Sequence, residues 1–268
     1  MTLDKAEGRG GEGAAQAFRV VAFDTLDSTN EEARRRIRSG TAAAGMVIWA
    51  LCQQAGRGRR GRRWESPAGN LHCSLILRPD CPPAAAAQLS LVAAVAVGEA
   101  LEAGLGRGGR PQLKWPNDVL IGGRKVAGIL LEADPDEAGG AGWLVVGVGV
   151  NIDHHPEGTD YPATSLSGEG AEPPDAAGVL ELFLARFEPW YRRWCREGLA
   201  PVRAAWLERA VGIGLPVTVR LHAETVAGTF AGLDEDGTLL LDLVGGGVRR
   251  RVTAGDVFFP WMSGVLRT

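Results

Sequence analysis

Apolar runs of strand length alternate with polar breaks through the first half of the chain. Residues 18–26 (FRVVAFDTL) form the first run and end at Asp27-Ser28-Thr29-Asn30. The following EEARRRIRSG predicts a short helix. Glu31 and Glu32 fall in its first turn, where the helix dipole favours carboxylates, and Gly40 is placed to stop it. Hydroxyls at Ser28 and Thr29 are the usual means of capping such a helix. Residues 46–52 (MVIWALC) and 70–77 (NLHCSLIL) predict two more strands, closing a hairpin or crossover around the intervening stretch. Residues 82–101 are rich in Ala, Leu and Val around the whole helical circumference, which predicts one central buried helix of about five turns. Pro83 fits its first turn and Gly104 lies past its end.

In the second half, QLKWPNDVL (112–120) combines a Pro116 that holds Trp115 extended with a turn-prone Asn117-Asp118 pair. Gly122-Gly123 reads as a hairpin turn into a strand over 125–132. WLVVGVGVNI (143–152) alternates, with Val146, Val148 and Val150 on one face and Gly147, Gly149 and Asn151 on the other. Bare glycines on a strand face mark the close approach of a ligand or another backbone. A long helix over 175–195, with Pro189 placed to kink it, and a short one over 202–209 follow. From 211 onward, five short strand candidates separated by Asp236-Gly237 and a Gly245-Gly246-Gly247 run suggest a small antiparallel barrel. The expected fold is α+β: a flexible tail over 1–17, a mixed β-sheet with helices over 18–210, and an SH3-like barrel over 211–268.

The stretch 53–70 (QQAGRGRRGRRWESPAGN) fits neither element. Arg57, Arg59, Arg60, Arg62 and Arg63 alternate with Gly56, Gly58 and Gly61. The glycines disfavour a helix, and buried guanidinium groups would be left unpaired in a core strand. A mobile loop closing over an anion satisfies both constraints, as does a solvated basic loop or a nucleic-acid patch. The formal net charge of −3 argues against a dedicated DNA- or RNA-binding protein, whose affinity needs a broad positive surface. Hydrophobic content of 45% and charged content of 23% are those of a soluble globular chain. Cys52, Cys73, Cys81 and Cys195 lack paired or metal-ligand spacing and read as buried thiols in a reducing cytosol. No stretch reads as the roughly 20 apolar residues needed to span a bilayer, and 1–17 lacks a signal-peptide core, so a cytoplasmic protein is expected.

Four segments carry candidate chemistry: 27–30, 53–64, 114–128 and 146–152. A sheet bringing them together would offer hydroxyls, an amide, arginines, two lysines, a carboxylate and bare backbone, the parts for binding a carboxylic acid beside a triphosphate. Asp118 with Asn117 would hold Mg²⁺ or accept a proton. No Walker phosphate loop, nucleophile elbow or dinucleotide glycine fingerprint is present in the sequence, and His154 and His155 give little support for triad catalysis.

LDSTN (26–30), QQAGRGRRGRRW (53–64), SPAGNL (66–71), KWPNDV (114–119), GGRKVAGILLE (122–132), VGVGVN (146–151) and ATSL (163–166) together resemble the biotin–protein ligases. The resemblance implies a class II synthetase-like catalytic domain and two half-reactions. Biotin and MgATP give biotinyl-5′-AMP and pyrophosphate, and a lysine of a carboxylase's biotin-acceptor domain then attacks the adenylate. It implies Lys125, Arg57 and Asp118 as catalytic residues. Ser28, Thr29, Asn30, Gln53, Gly56, Arg57, Gly58, Arg59, Lys125 and Gly128 would bind biotin. Arg59, Arg60, Arg62, Trp64, Lys114, Asn117 and Asn151 would bind ATP or the adenylate, with Asn117 and Asp118 at Mg²⁺. Gly147 and Gly149 would line the pocket. Only about 17 residues precede Phe18, fewer than the winged helix of the family's repressor members needs, so no DNA partner is expected, nor a membrane; the state would be monomer or homodimer. Lipoate–protein ligase is the enzymatic alternative, and an RNA-binding module using the arginine loop the remote one.

Overall fold

The computed structural model describes residues 18–105, 109–134, 142–159, 161–245 and 247–260. The expected tail over 1–17 and the chain end over 261–268 lie outside the described residues. The larger sheet comprises β1 (Arg19–Leu26), β2 (Met46–Gln53), β3 (Leu71–Leu77), β4 (Gln112–Lys114), β5 (Asp118–Ile121), β6 (Arg124–Asp134) and β7 (Trp143–Val150). Its spatial order is β1-β2-β3-β7-β6-β5-β4. β1 and β2 run parallel, joined by the crossover helix α1 (Thr29–Arg38), while the remaining pairs are antiparallel. The sheet is therefore mixed, as expected.

Alternation along β7 explains why its two faces differ. Leu144, Val146, Val148 and Val150 enter the large core beneath the long helices, and Val145 joins Ala33, Met46, Ile48 and Ile76 under α1. Gly147 and Gly149 continue that second face. There β7 contributes no side chains, Asn30 and Trp64 approach its bare backbone, and a cavity opens beside them.

The expected single helix over 82–101 is broken into α2 (Pro83–Ala86) and α3 (Leu89–Leu105). Three-residue hydrogen bonds from Gln88 to Ala85, Ser90 to Ala87 and Leu91 to Gln88 tighten the chain at the break. The Gln88 side chain meanwhile accepts from Trp194 Nε1 at 2.8 Å, on α4 (Ala176–Glu197). Gly104 lies inside α3 rather than past its end, where a Cβ would make only ordinary contact with Pro174 at 3.6 Å. Contrary to expectation, Pro83–Gly104 is by length and composition apolar enough to cross a membrane, but most of it is buried within the protein. Asp175 caps α4 by accepting from Gly178 N, and α5 (Ala200–Arg209) follows. The cysteine expectation also needs correction: Cys73 is buried, Cys52 and Cys81 are partly exposed, and Cys195 is exposed.

The second sheet, β8 (Pro216–Arg220), β9 (Thr225–Leu233), β10 (Leu239–Leu243), β11 (Arg249–Val252) and β12 (Asp256–Phe258), is antiparallel in the order β11-β10-β9-β8-β12. Five strands were expected. Among the described residues no pairing joins β11 to β12, so the sheet is open where a barrel was expected. Its Val217, Val219, Phe230, Leu239 and Leu241 belong to the same buried cluster as α3. Val211 N donates to Leu113 O at 2.9 Å and Trp115 Nε1 to Gly237 O at 3.2 Å. This continuity fixes β12 beside the cavity.

Candidate active site

Sheet register assembles the site. Lys114 pairs with Asp118, Asp118 with Gly128, and Gly128 with Gly149. Cross-strand partners share a face, so one row across β4, β5, β6 and β7 carries an ammonium, a carboxylate and then bare backbone. Lys125 reaches this row through a bulge. The register shifts between Val119 and Leu120, setting Leu120 opposite Lys125 and leaving Val126 as the extra residue. Val126 sinks into the core, and Lys125 turns over Gly128 with Nζ 2.5 Å from Asp118 Oδ1. The 161–166 segment pins its backbone: Lys125 N donates to Pro162 O at 2.8 Å and Thr164 N to Lys125 O at 2.9 Å.

Asp118 is buried between two cations, Lys125 and, at 3.5 Å, Lys114. Burial opposes ionisation, but the two ammonium groups prevail and hold its carboxyl below the usual value. Lys114, 4% exposed, is pulled below the ordinary lysine range by burial, with Asp118 acting against the shift. Its Nζ rests 4.4 Å from the centre of the Tyr161 ring. Tyr161 stacks on Phe258 at 4.9 Å and donates to Val257 O at 3.0 Å, so β12 buttresses the lysine from behind.

At the α1 end, the expected capping by Ser28 is not made: its side chain forms no cap bond. Gln53 Oε1 instead accepts from Thr29 N at 2.8 Å and Thr29 Oγ1 at 3.2 Å, while Gln53 Nε2 donates to Ser66 Oγ at 2.8 Å. An amide from β2 thus serves the helix terminus, and Ser28 lies in the cavity lining. Ser74, fully buried on β3 opposite Gly147, lies 2.7 Å from Thr29 Oγ1 and 2.5 Å from Asn30 Oδ1. Asn30 Nδ2 donates to Glu132 Oε2 at 2.7 Å. A Cβ on Gly147 would collide with Asn30 Oδ1.

The arginine stretch is a narrow hairpin. Gln53 N donates to Ser66 O, Trp64 N to Gly56 O and Gly58 N to Arg62 O, with a 3₁₀ turn over Arg59–Gly61 at the tip. Gly56 is required by contact, because a Cβ would strike Trp64 O and Ser66 Oγ. Arg57 pairs with Glu31 of α1 and lies 3.6 Å from Glu132. At the other side Arg60 and Arg62 pair with Asp256 of β12, and Arg59 Nη1 donates to Asn117 Oδ1 at 3.3 Å. The hairpin is thereby fastened at both flanks, with the cavity beneath. Trp64 lies on the glycine floor, where a Cβ on Gly149 would come within 2.6 Å of its ring, and Lys125 Nζ lies 5.3 Å from the ring centre.

The resulting cavity of about 420 Å³ brings together nearly every residue singled out from the sequence. Ser28, Thr29, Asn30, Gln53, Arg57, Gly58, Arg59, Arg62, Trp64, Lys114, Asn117, Asp118, Lys125, Gly128 and Asn151 line it; Gly56 and Arg60 do not. Asn151 is spent partly on structure, donating to Thr164 O at 3.0 Å. Ser74, Glu132, Tyr161 and Asp256 were missed. Glu132 closes the GGRKVAGILLE segment without being singled out, no motif flags Ser74, Tyr161 or Asp256, and strand pairing with the Tyr161–Val257 contact brings them here. Among the described residues no three His, Cys, Asp or Glu side chains cluster to hold a metal. Asn117 is engaged with Ile129 O and Arg59, and both Asp118 oxygens face lysines. That donor set fits only an ion carried in on substrate phosphates, the usual manner of Mg²⁺.

A mixed sheet with a cationic hairpin over a glycine floor defines, with the matching family model, a ligase of the biotin/lipoate A/B protein ligase family over residues 22–151. The biotin protein ligase C terminal domain model matches residues 212–259. Biotin–acetyl-CoA-carboxylase ligase of Paracoccus denitrificans is 41% identical over 238 residues, covering 87% of this chain and 97% of that one. The bifunctional ligase/repressor BirA of Bacillus subtilis is 38% identical over 230 residues, covering 83% and 69%. Biotin protein ligase from Aquifex aeolicus, solved in complex with biotin and ATP, matches with a TM-score of 0.74 and 28% identity over 89% of this chain and 97% of that one. The chain belongs to the biotin protein ligase family.

Proposed function

We propose that the protein activates biotin with ATP to biotinyl-5′-AMP and transfers the biotinyl group to a lysine of a carboxylase's biotin-carrier domain. The observation that carries this reading is the meeting of Lys125 and the arginine hairpin across one glycine-floored cavity. In the first step a biotin carboxylate oxygen attacks the α-phosphorus and pyrophosphate leaves. Anions are brought together there, so fixed cations must offset their repulsion. Lys125, already oriented by Asp118, stands for the carboxylate and α-phosphate, and Arg57, Arg59 and Arg62 stand above them.

Ser28, Thr29, Asn30 and Gln53 supply the polar pocket for the ureido head at the α1 end, and Trp64 with the bare strands supplies flat surfaces for rings. Magnesium, bound to the phosphates, would supply further charge neutralisation, with Asn117 and Asp118 nearest to it. In the second step the acceptor amine attacks the acyl carbon and AMP leaves. Asp118 is the carboxylate nearest the reacting centre, and its two lysines keep it ionised to receive a proton. We read residues 18–210 as a class II synthetase-like catalytic unit and 211–268 as an SH3-like unit.

The test incubates the protein with MgATP, a carrier domain and either biotin or lipoate, followed by intact mass. A biotinyl gain is expected. A lipoyl gain without a biotinyl one would replace this function with lipoate ligation, a reading weakened already by the match of the biotin ligase C-terminal domain.

A further inference from the structure

Three guanidinium groups of the hairpin converge on one carboxylate of the C-terminal sheet. Arg62 Nη2 lies 2.9 Å from Asp256 Oδ1, Arg60 Nη1 3.1 Å from Oδ2, and Arg59 Nη1 3.9 Å from Oδ1. The Asp256 side chain is 11% exposed, while Arg60 and Arg62 are 37% and 46% exposed, so solvent screens these contacts in part. Arg59 is further anchored to Gly255 O at 3.3 Å. One negative charge faces three positive ones. Asp118 adds some attraction for Arg59, while Arg60 and Arg62 repel it. The cluster is left with a cationic surplus that a second, more highly charged anion would relieve. Arg59, Arg62 and Asp256 also line the cavity that holds Lys125. An anion entering it meets arginines already gathered around a carboxylate.

We propose that Asp256 is a positioning residue that holds the hairpin arginines in the absence of nucleotide and competes for them with the phosphates of the incoming triphosphate. The inference rests on the reading of the cavity as a biotin and ATP site. Carboxylate and phosphate oxygens make the same forked, charge-assisted contacts with guanidinium, so one can replace the other without rebuilding the hairpin. A triphosphate brings several charges against one and wins the exchange. Asp256 thus keeps the hairpin docked on β12, at some expense in nucleotide affinity. A carboxylate that merely tied the two parts of the protein together would act in the opposite direction, since its loss would then weaken nucleotide binding.

The Asp256→Asn variant separates the two, because it keeps the shape and one acceptor oxygen but removes the charge. Calorimetry without biotin is expected to show ATP binding about three- to tenfold more tightly to the variant than to the wild type, the scale of one partly screened charge. Inorganic tripolyphosphate should show the same direction. Limited trypsin digestion of the nucleotide-free variant should cut faster within residues 57–63, with ATP restoring protection. An unchanged far-UV circular dichroism spectrum and a cooperative thermal unfolding transition certify the fold, and Asp256→Ser replaces the Asn variant if either is lost. Equal or weaker ATP binding by the variant, or an unchanged cleavage rate, overturns the proposal. Biotin-dependent pyrophosphate exchange by the wild type is the separate control: its absence sinks the ligase reading, whereas the tripolyphosphate comparison still reports on Asp256.

Discussion

Lys125 Nζ lies 2.5 Å from Asp118 Oδ1, and the contact exists because a bulge at Val126 turns the lysine back over the glycine floor. Lys114 approaches the other oxygen of the same carboxylate at 3.5 Å. Asp118 therefore fixes the direction of one cation while sharing its charge with another. Removing either partner has effects on both chemistry and stability, and these differ in kind.

Replacing Lys125 with alanine removes the cation at the carboxylate–phosphate junction. Adenylate formation should fall by about 10²- to 10³-fold, as when a single transition-state donor is lost. Biotin-dependent exchange between ATP and labelled pyrophosphate measures this step alone. Near-normal exchange would show that Lys125 has no catalytic part. Lys125 is partly exposed, so the variant should remain folded, with a shift of only a few degrees in Tm.

Asp118 gives the pH-dependent counterpart. Its carboxyl in the folded protein titrates below the ordinary 3.8, so the unfolded chain binds more protons between the two values. The stabilisation is complete above the unfolded-state value and is lost as pH falls through the folded one. Asp118→Asn abolishes it and leaves Lys114 buried without its ion pair, a cost of about 3 kcal/mol at neutral pH. Urea unfolding should show a constant gap between wild type and variant down to about pH 5, narrowing below about pH 4. A gap that widens on acidification would contradict the assigned direction.

Much of this site was legible in the chain because its chemistry breaks the local rules of folding. Arginine and glycine in alternation fit neither helix nor core strand, and glycines interrupt the apolar β7 at Gly147 and Gly149, so both segments stood out without a structure. The two sheets and most elements followed from apolar period. Ser74, Glu132, Tyr161 and Asp256 obey local rules, being ordinary residues of a strand or its flank. Their importance comes from register, as with Ser74 opposite Gly147, or from contacts such as Arg62 with Asp256 across 194 residues. The break between α2 and α3 was hidden for a related reason: unbroken Ala and Leu propensity predicts one helix, while Gln88 is committed to Trp194 of another element.

The two glycines of β7 should report on different substrates. Gly147→Ala places a methyl against Asn30 Oδ1 at the α1 end, and Gly149→Ala places one 2.6 Å from the Trp64 indole. The first should raise KM for biotin by about tenfold with a smaller effect on ATP, and the second should do the reverse, since each displaces one wall by roughly a methyl group. Steady-state exchange with each substrate varied in turn measures the split. Identical effects of both substitutions on both substrates would mean that the floor is not divided in this way.

Ser74 offers a test of the buried polar network below the biotin end. Its hydroxyl lies between Thr29 Oγ1 and Asn30 Oδ1, in a fully buried position on β3. Ser74→Ala leaves Asn30 Oδ1 without that donor and removes a partner of the Thr29 hydroxyl, a loss of about 1–3 kcal/mol. Part of that loss appears in global stability, measured by urea unfolding. The rest appears as weaker biotin binding, because Thr29 and Asn30 lose the contact that orients them. Ser74→Thr restores the hydroxyl but adds a methyl beside Gly147, so it should recover stability only in part. If Ser74→Ala lowers stability yet leaves biotin affinity at the wild-type value, the network supports the sheet alone and does not shape the pocket.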